Sequence, residues 1–341
     1  MALVLLLALA QGKLDPAKVD EAVVRGVKHL KPHAAANQQD LELTLLALVH
    51  GGVAPVDPAF ADGLERALAQ ELAMTYRVAL LAMTLEEVDR LRYQNRIARC
   101  AQFLLDSQGE NGQWSYGRAT TYPSGLPVDS TDPREAGQVV VFEEPKPGAK
   151  PAVRQKIKVA QQRVLPAGGD NSNSQYAALG LRACHDAGIV LPAEAVTRAA
   201  DWWRTSQSPD GGWGYNGNNR AYGSMTVGAI GARAILLHIQ GRDWKRDPVL
   251  RAGVDWETAN FTVTDNPFRT GGHVLYYLYG LERAGMLCEI QKFGPNDWYA
   301  SGARHLLTLQ KPDGSWGPHT DTAFAILFLK RATRSMVESG R

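Results

Sequence analysis

Cysteine is scarce in this sequence, and the few residues present form neither a disulfide nor a metal pattern. Cys100, Cys184 and Cys288 are the three cysteines, and they lie far apart in a chain of 341 residues. No Cys-x-x-Cys pair and no Cys/His spacing typical of a zinc site occurs. The cysteine content therefore excludes a disulfide framework and a zinc knuckle.

The chain also lacks an excess of charge of either sign. It has 37 basic and 35 acidic side chains, for a net charge of +2. A nucleic-acid-binding protein would need a clustered basic face, so we expect no nucleic-acid partner. Hydrophobic residues make up 45% of the chain, which is enough to bury a large core in one large domain or two ordinary ones.

No hydrophobic run is long enough to span a bilayer. The longest one, MALVLLLALA, opens the chain and has about ten residues, where a transmembrane helix needs roughly twenty. Ala8-Leu9-Ala10 has the small-x-small form of a signal-peptidase site, but the usual basic region is missing. Residues 1–12 are therefore either the remnant of an export signal or the first turn of a helix, and the protein is either exported or cytoplasmic.

A turn motif occurs three times at regular spacing. The segments FLLDSQGENGQWSYG (103–117), WWRTSQSPDGGWGY (202–215) and HLLTLQKPDGSWG (305–317) share a Gln, an Asp/Asn-Gly pair and a Trp. Their tryptophans are 99 and 103 residues apart, which indicates a repeat architecture. The shared positions are Gln108, Gly112, Trp114, Gln207, Gly211, Trp213, Gln310, Gly314 and Trp316.

These positions predict structural turns between helices. Glycine supplies the positive-φ position of a turn, and glutamine can bond exposed backbone groups at a neighbouring helix end. The tryptophan is a large apolar plug that we expect to pack on the next repeat.

Two kinds of helical segment alternate along the chain. Six are rich in Ala and Leu throughout, and six have apolar residues at steps of three and four, with about fifty residues per pair. An apolar helix is buried on all sides, whereas an amphipathic helix shows one face to water. The alternation predicts an all-α (α/α)6 toroid, a single domain over residues 13–341. Its cavity should lie where the N-termini of the inner helices converge.

Residues 118–169 interrupt this alternation. The segment contains two β-prone runs, QVVVFEEP and RQKIKVAQQRVLP, which predict a long loop or a β-hairpin insertion. Insertions in repeat folds tend to lie on one face, often the binding face. The segment is therefore a lid, a docking arm or a spacer.

The Gln-Gly-Trp turns and the helix alternation resemble the terpene cyclase/protein prenyltransferase superfamily. The likeness is to the prenyltransferase/squalene oxidase repeat (the Gln-Trp motif) of squalene–hopene cyclases and to the prenyltransferase β-subunit. The resemblance implies an α/α barrel with an apolar central cavity suited to isoprenoid chains. It is weaker evidence for activity, because fold does not fix function.

The cyclase acid of this family is not matched. Squalene cyclases protonate an alkene with the middle acid of Asp-x-Asp-Asp-Thr-Ala at the start of an inner helix. Here Asp321-Thr322-Ala323 matches the end of that motif, but Thr320 stands in place of the middle acid. A threonine cannot protonate an alkene. Asp321 is then either the N-cap of the last inner helix, which we expect, or an acid in the cavity.

The zinc site of the transferases is matched only at its histidine. His273 lies in a His-x-x-Tyr-x-Leu-x-Gly-Leu context, as in prenyltransferase β-subunits. The preceding inner helix offers Gly223-Ser224-Met225 where the family has Asp-x-Cys. A catalytic zinc needs three protein ligands, so we expect neither a metal nor another cofactor.

Two classes of function remain open. The first is a binding or scaffold protein that holds an apolar or isoprenoid-like ligand, or a protein segment, in its cavity. The second is a terpene cyclase/mutase-like enzyme, an isomerase or lyase, in which Asp321 and His273 are catalytic. In both, the residues we expect to line the cavity are Tyr76, Asn173, Gln175, Tyr276 and Thr320. No pair of carboxylates is placed for glycoside cleavage.

Overall fold

The structure is a computed structural model that describes residues 14–36, 40–126, 150–217 and 220–336. The export interpretation of residues 1–12 falls outside these ranges. Within them, no helix is both long and apolar enough to cross a membrane.

The described part of the chain contains twelve α-helices, one 3₁₀ turn and four two-residue strands. The helices are α1 Pro16–Ala35, α2 Leu41–His50, α3 Pro58–Ala69, α4 Thr75–Asp89, α5 Gln94–Asp106, α6 Asn171–Asp186, α7 Ala193–Thr205, α8 Gly223–Ile239, α9 Pro248–Asn260, α10 Val274–Leu287, α11 Trp298–Leu309 and α12 His319–Lys330. The 3₁₀ turn is Trp244–Arg246, and the strands are β1 Ile157–Lys158, β2 Ile189–Val190, β3 Lys292–Phe293 and β4 Asn296–Asp297.

Burial separates the even-numbered helices from the odd-numbered ones, as the alternation predicts, except that α5 is buried at ten of its thirteen residues. In α8, every residue from Gly223 to Leu237 is buried. In α3, the buried residues Phe60, Gly63, Leu64 and Ala67 follow a single face. The even-numbered helices are therefore inner helices, and the odd-numbered ones cover them.

The six inner helices form a closed ring. Each packs against the next, in the order α2, α4, α6, α8, α10 and α12, and α12 packs back against α2. Outer helices lie between the inner ones and solvent, so that α1 contacts both α12 and α2. The prediction of an all-α (α/α)6 toroid is confirmed.

The three Trp turns make the same contacts in each repeat. The indole nitrogen of each tryptophan donates a hydrogen bond to a carbonyl ten residues earlier, at the end of the outer helix: Trp114 to Leu104 at 2.7 Å, Trp213 to Trp203 at 2.9 Å and Trp316 to Leu306 at 2.8 Å. The tryptophan thereby fixes the angle between each outer helix and its following inner helix.

The turn glutamines connect each repeat to the following outer helix. Gln108 donates to the carbonyl of Ala195 on α7, and Gln207 to that of Val249 on α9, each at 2.9 Å. Gln310 donates to the carbonyl of Ala22 on α1 at 2.8 Å. The last of these bonds joins the turn after α11 to α1, and it closes the outer layer of the ring.

Part of the 118–169 segment is held against the toroid. β1 pairs in parallel with β2, with Ile157 opposite Ile189. The buried carboxylate of Asp106 accepts a hydrogen bond from the backbone nitrogen of Gln162 at 2.7 Å. The predicted hairpin partner, residues 138–145, lies outside the described residues. These contacts hold β1 and the chain after it against the toroid, and the role of the segment as a lid, a docking arm or a spacer stays a prediction.

A buried carboxyl group joins α9 to α10. Glu257 is fully buried, its side chain bonds the Tyr277 hydroxyl, and its second oxygen has no hydrogen-bond partner among the described residues. Burial raises the pKa of Glu257 to about 8, although the hydrogen bond from Tyr277 opposes the shift. The neutral acid is therefore the form that the folded protein holds near neutral pH.

Closure of the ring can be tested at Gly314. Its φ is 88°, and a Cβ there would lie 2.5 Å from the carbonyl oxygen of Arg25 on α1. Gly52 has a similar φ of 92° but no atom within 4 Å of the added Cβ. We expect Gly314→Ala to lower the free energy of unfolding by about 2 kcal/mol more than Gly52→Ala. Urea denaturation of both variants measures the difference. Equal losses of unfolding free energy would show that the close approach of Gly314 to α1 does not add to the cost of the substitution.

The neutral state of Glu257 can be tested by the pH dependence of stability. The folded protein binds this proton more tightly than the unfolded chain, so stability falls as pH rises from about 4.5 to about 8. We expect Glu257→Gln to reduce this fall, by at most about 1.4 kcal/mol per pH unit. Urea denaturation of both proteins at pH 5, 6.5 and 8 measures the fall in the free energy of unfolding. At pH 5 Glu257 is neutral in the folded wild type, so there the two proteins are compared in the same charge state. Identical slopes in both proteins would mean that Glu257 is ionised when folded.

Candidate ligand-binding cavity

A cavity lies where the N-terminal ends of the inner helices meet. Its volume is about 250 Å³, roughly twenty times what one water molecule needs. Residues from α2, α4, α6, α10 and α12 and from two Trp turns line it: Asp40, Leu43, Tyr76, Leu80, Tyr116, Ser172, Asn173, Tyr176, Tyr215, Tyr276, Thr320 and Phe324. The site is large enough for an organic molecule.

Most of the cavity wall is aliphatic or aromatic. Tyr176 stacks on Tyr276 with ring centroids 6.3 Å apart, and Tyr276 contacts Phe324 at 5.6 Å. Leu43 and Leu80 are buried beside them. Burial raises the pKa of Tyr176 and Tyr276, so these tyrosines stay neutral and present phenol groups to a ligand.

Polar groups concentrate on the wall formed by α6 and α10. The Ser172 hydroxyl lies 2.9 Å from the Tyr276 hydroxyl, which also accepts a hydrogen bond from the Gln175 amide nitrogen at 2.7 Å. Asp170 caps α6 by accepting a bond from the backbone nitrogen of Asn173 at 2.7 Å. Asp170 is thus the N-cap of α6, while Ser172 and Asn173 in the first turn of this helix line the cavity.

The wall formed by α2 and α12 carries a carboxyl group. Asp40 precedes α2, and its Oδ2 lies 3.7 Å from Nε2 of His319 at the start of α12. The His319 ring stacks on His33 of α1, with centroids 5.3 Å apart. Asp40 is the sole carboxyl group among the described residues that line the cavity.

Four of the five cavity residues predicted from sequence line this site. They are Tyr76, Asn173, Tyr276 and Thr320. Gln175 lies one layer behind the cavity surface, where it bonds Tyr276. Their role in binding a ligand stays a prediction.

The two residues predicted as catalytic do not line the cavity. α12 begins after Pro318, so Asp321 lies in its first turn, and the expectation that Asp321 is the N-cap is wrong. Burial raises the pKa of Asp321, with His273 opposing the shift; an N-cap carboxylate would have had its pKa lowered. His273 precedes α10 in the left-handed region at φ 64°, and it is exposed.

The cavity residues predicted from sequence leave out eight that line it: Asp40, Leu43, Leu80, Tyr116, Ser172, Tyr176, Tyr215 and Phe324. A signal for two of them is present, because Tyr116 and Tyr215 each follow a turn tryptophan by two residues. These tyrosines are 56% and 37% exposed, so they mark the open end of the cavity. Asp40 gave no such signal, because an aspartate before a helix is most simply a cap.

In the described ranges, no group of three or more His, Cys, Asp or Glu side chains is arranged to hold a metal ion. The absence of a catalytic zinc stays a prediction.

No protein-family model and no curated protein matches the sequence. Solved structures do match the fold. A variant of the type II terpene cyclase MstE from Scytonema, bound to its substrate geranylgeranyl dihydroxybenzoate, superposes with a TM-score of 0.56 at 13% identity over 93% of this chain and 98% of that one. A second variant, bound to its product merosterolic acid A, gives a TM-score of 0.52 at 12% identity over 95% and 97%. At this identity the likeness establishes the fold, which is that of the type II terpene cyclases.

Proposed function

We propose that this protein binds an apolar, isoprenoid-like molecule in its central cavity. The observation that carries the proposal is the cavity wall, where Leu43, Leu80 and Phe324 stand beside stacked tyrosines. An apolar ligand gains free energy by leaving water for such a wall, in proportion to the area it buries. The solved relatives of this fold that hold a geranylgeranyl compound and its cyclised product support the same ligand class.

Binding without turnover is the first form of this proposal. A cyclase of this family places an acid where Thr320 stands here, and a threonine hydroxyl is far too weak an acid to protonate an alkene. Thr320 lines the cavity, which supports this form of the proposal. The ligand would then be held and delivered unchanged.

Acid catalysis on the same ligand class is the second candidate function. Asp40 favours it, because this carboxyl group lines the cavity and has an imidazole nitrogen 3.7 Å away. A general acid must reach the atom it protonates. Asp40 meets that requirement better than Asp321 and His273, which do not line the cavity.

Ligand binding can be tested by filling the cavity. Thr320 is half-buried at the cavity wall, and we expect Thr320→Trp to weaken binding of farnesol at least tenfold by occupying the space. Val56 is 87% exposed on the surface, and Val56→Trp is the matched control that should bind normally. Isothermal titration calorimetry measures both affinities, with the thermal midpoint as the check on folding. No measurable binding of farnesol, squalene or farnesyl diphosphate to the wild type would refute the proposal.

The two candidate functions can be separated by product analysis. The protein is incubated with squalene, farnesyl diphosphate or geranylgeranyl diphosphate, and the extracts are analysed by gas chromatography with mass spectrometry. Binding without turnover predicts no cyclised or isomerised product. Acid catalysis predicts a product that Asp40→Asn abolishes and Asp321→Asn leaves within about twofold. A product lost only in Asp321→Asn or His273→Ala would indicate that Asp321 or His273 is catalytic, as the sequence predicts, and that Asp40 is not.

A further inference from the structure

Gln175 connects a buried arginine to the cavity. Its amide nitrogen donates to the Tyr276 hydroxyl at 2.7 Å, and its amide oxygen accepts from Nη2 of Arg283 at 2.6 Å. Gln175 belongs to α6, whereas both partners belong to α10, so the side chain must cross α8. Gly228 on α8 leaves the space for it, because a Cβ there would lie 2.2 Å from the Gln175 amide oxygen.

The chemistry of these groups fixes the direction of the hydrogen bonds. A guanidinium can only donate, so the amide oxygen of Gln175 must face Arg283 and its nitrogen must face Tyr276. The Tyr276 oxygen therefore accepts, and its own proton remains to be donated to Ser172 or to a ligand. Burial raises the pKa of Tyr276 far above its ordinary range, which keeps that proton in place.

Arg283 carries a buried positive charge that contacts no carboxylate among the described residues, and the charge of the neighbouring Glu282 acts on it only through space. Arg283 is 2% exposed, no described carboxylate lies within 4.0 Å of it, and its Nη1 has no hydrogen-bond partner in the described ranges. Its guanidinium lies over the rings of Tyr279 and Tyr176, 4.3 and 5.4 Å from their centroids. The buried Arg233 of α8, by contrast, pairs with Asp247 at 2.8 Å.

The acidic residue adjacent to Arg283 in sequence, Glu282, is hydrogen-bonded to another part of the chain. Glu282 is buried and accepts hydrogen bonds from the backbone and hydroxyl of Thr333, at 2.9 and 2.8 Å. Adjacent residues on a helix do not share a face. A buried charge without a contacting counter-ion is costly to fold, and a ligand with an anionic group would supply one to Arg283.

The cavity therefore has two chemically different sides. The hydroxyls of Ser172 and Tyr276, backed by Arg283, belong to α6 and α10, the two helices that flank α8. Asp40 belongs to the α2 side, which faces α8 across the ring. Five inner helices, α2, α4, α6, α10 and α12, also place residues of their first turns on the cavity, and the dipoles of their N-termini favour negative charge there.

We propose that the hydroxyls of Ser172 and Tyr276 bind an anionic oxygen of the ligand, a carboxylate or a phosphate, with Arg283 supplying the balancing charge through Gln175. This inference rests on the proposed function and adds the ligand's polar end to it. Arg283 and Gln175 are positioning residues here, because the ligand touches the two hydroxyls. Arg283 and Gln175 are buried, so the charge acts through polarised hydrogen bonds in surroundings of low dielectric constant.

A ligand series with one isoprenoid chain and different ends tests this. Calorimetry compares farnesoic acid, farnesyl phosphate and farnesol at pH 7.5, where the first two are anions and the third is neutral. We expect at least one of the two anions to bind ten times more tightly than farnesol. Which of the two is preferred distinguishes a carboxylate ligand from a phosphate ligand.

Variants then locate the preference. Arg283→Met keeps a similar length without the charge, and we expect it to lose the tenfold ratio of anion affinity to farnesol affinity and to unfold at the same or a higher temperature. Gln175→Leu should lose the same preference, because it removes the two hydrogen bonds that connect Arg283 to Tyr276. Tyr93→Phe, at the half-buried tyrosine that precedes α5, is the matched control and should keep the preference.

The outcomes separate this inference from the proposed function. Farnesol binding with no preference for either anion, or a preference that survives both Arg283→Met and Gln175→Leu, overturns the inference and leaves the proposed function intact. Failure of all three ligands to bind overturns both.

Discussion

The structure depends on the requirement that six apolar helices be covered on every side. An apolar helix in water would expose its whole surface, and the closed ring removes that exposure by giving each inner helix two inner neighbours and an outer cover. The Trp turns hold this arrangement at three corners, since each indole bonds the end of its outer helix and each glutamine bonds the next one. The bond from Gln310 to Ala22 joins the two ends of the chain.

Closure of the ring also creates the cavity and determines which groups meet in it. Inner helices begin at the same end of the toroid, so residues from their first turns converge although they are far apart in sequence. Ser172 and Tyr276 are 104 residues apart and form one hydrogen-bonded pair. The two walls differ chemically because α6 and α10 supply hydroxyls, whereas α2 supplies the carboxyl group of Asp40.

Buried ionisable groups in this fold are accommodated in two ways. Glu257 stays neutral, and the Tyr277 hydroxyl satisfies one of its oxygens. Arg283 cannot become neutral, because a guanidinium keeps its proton in proteins, and it lies without a balancing carboxylate among the described residues. The first arrangement is explained by packing between α9 and α10. For the second we propose the anionic end of a ligand as the balancing charge.

The sequence by itself determined the architecture, because hydrophobic periodicity and three regularly spaced Trp turns are local signals. It also placed Tyr76, Asn173, Tyr276 and Thr320 near the cavity, since each lies within the first turn of an inner helix. Only the tertiary structure decided that Asp40 lines the cavity, that Asp321 does not, and that Arg283 reaches Tyr276 through Gln175. These facts depend on which side of each helix faces its neighbours and on the space beside Gly228 that Gln175 fills. The local sequence pattern predicts neither of them.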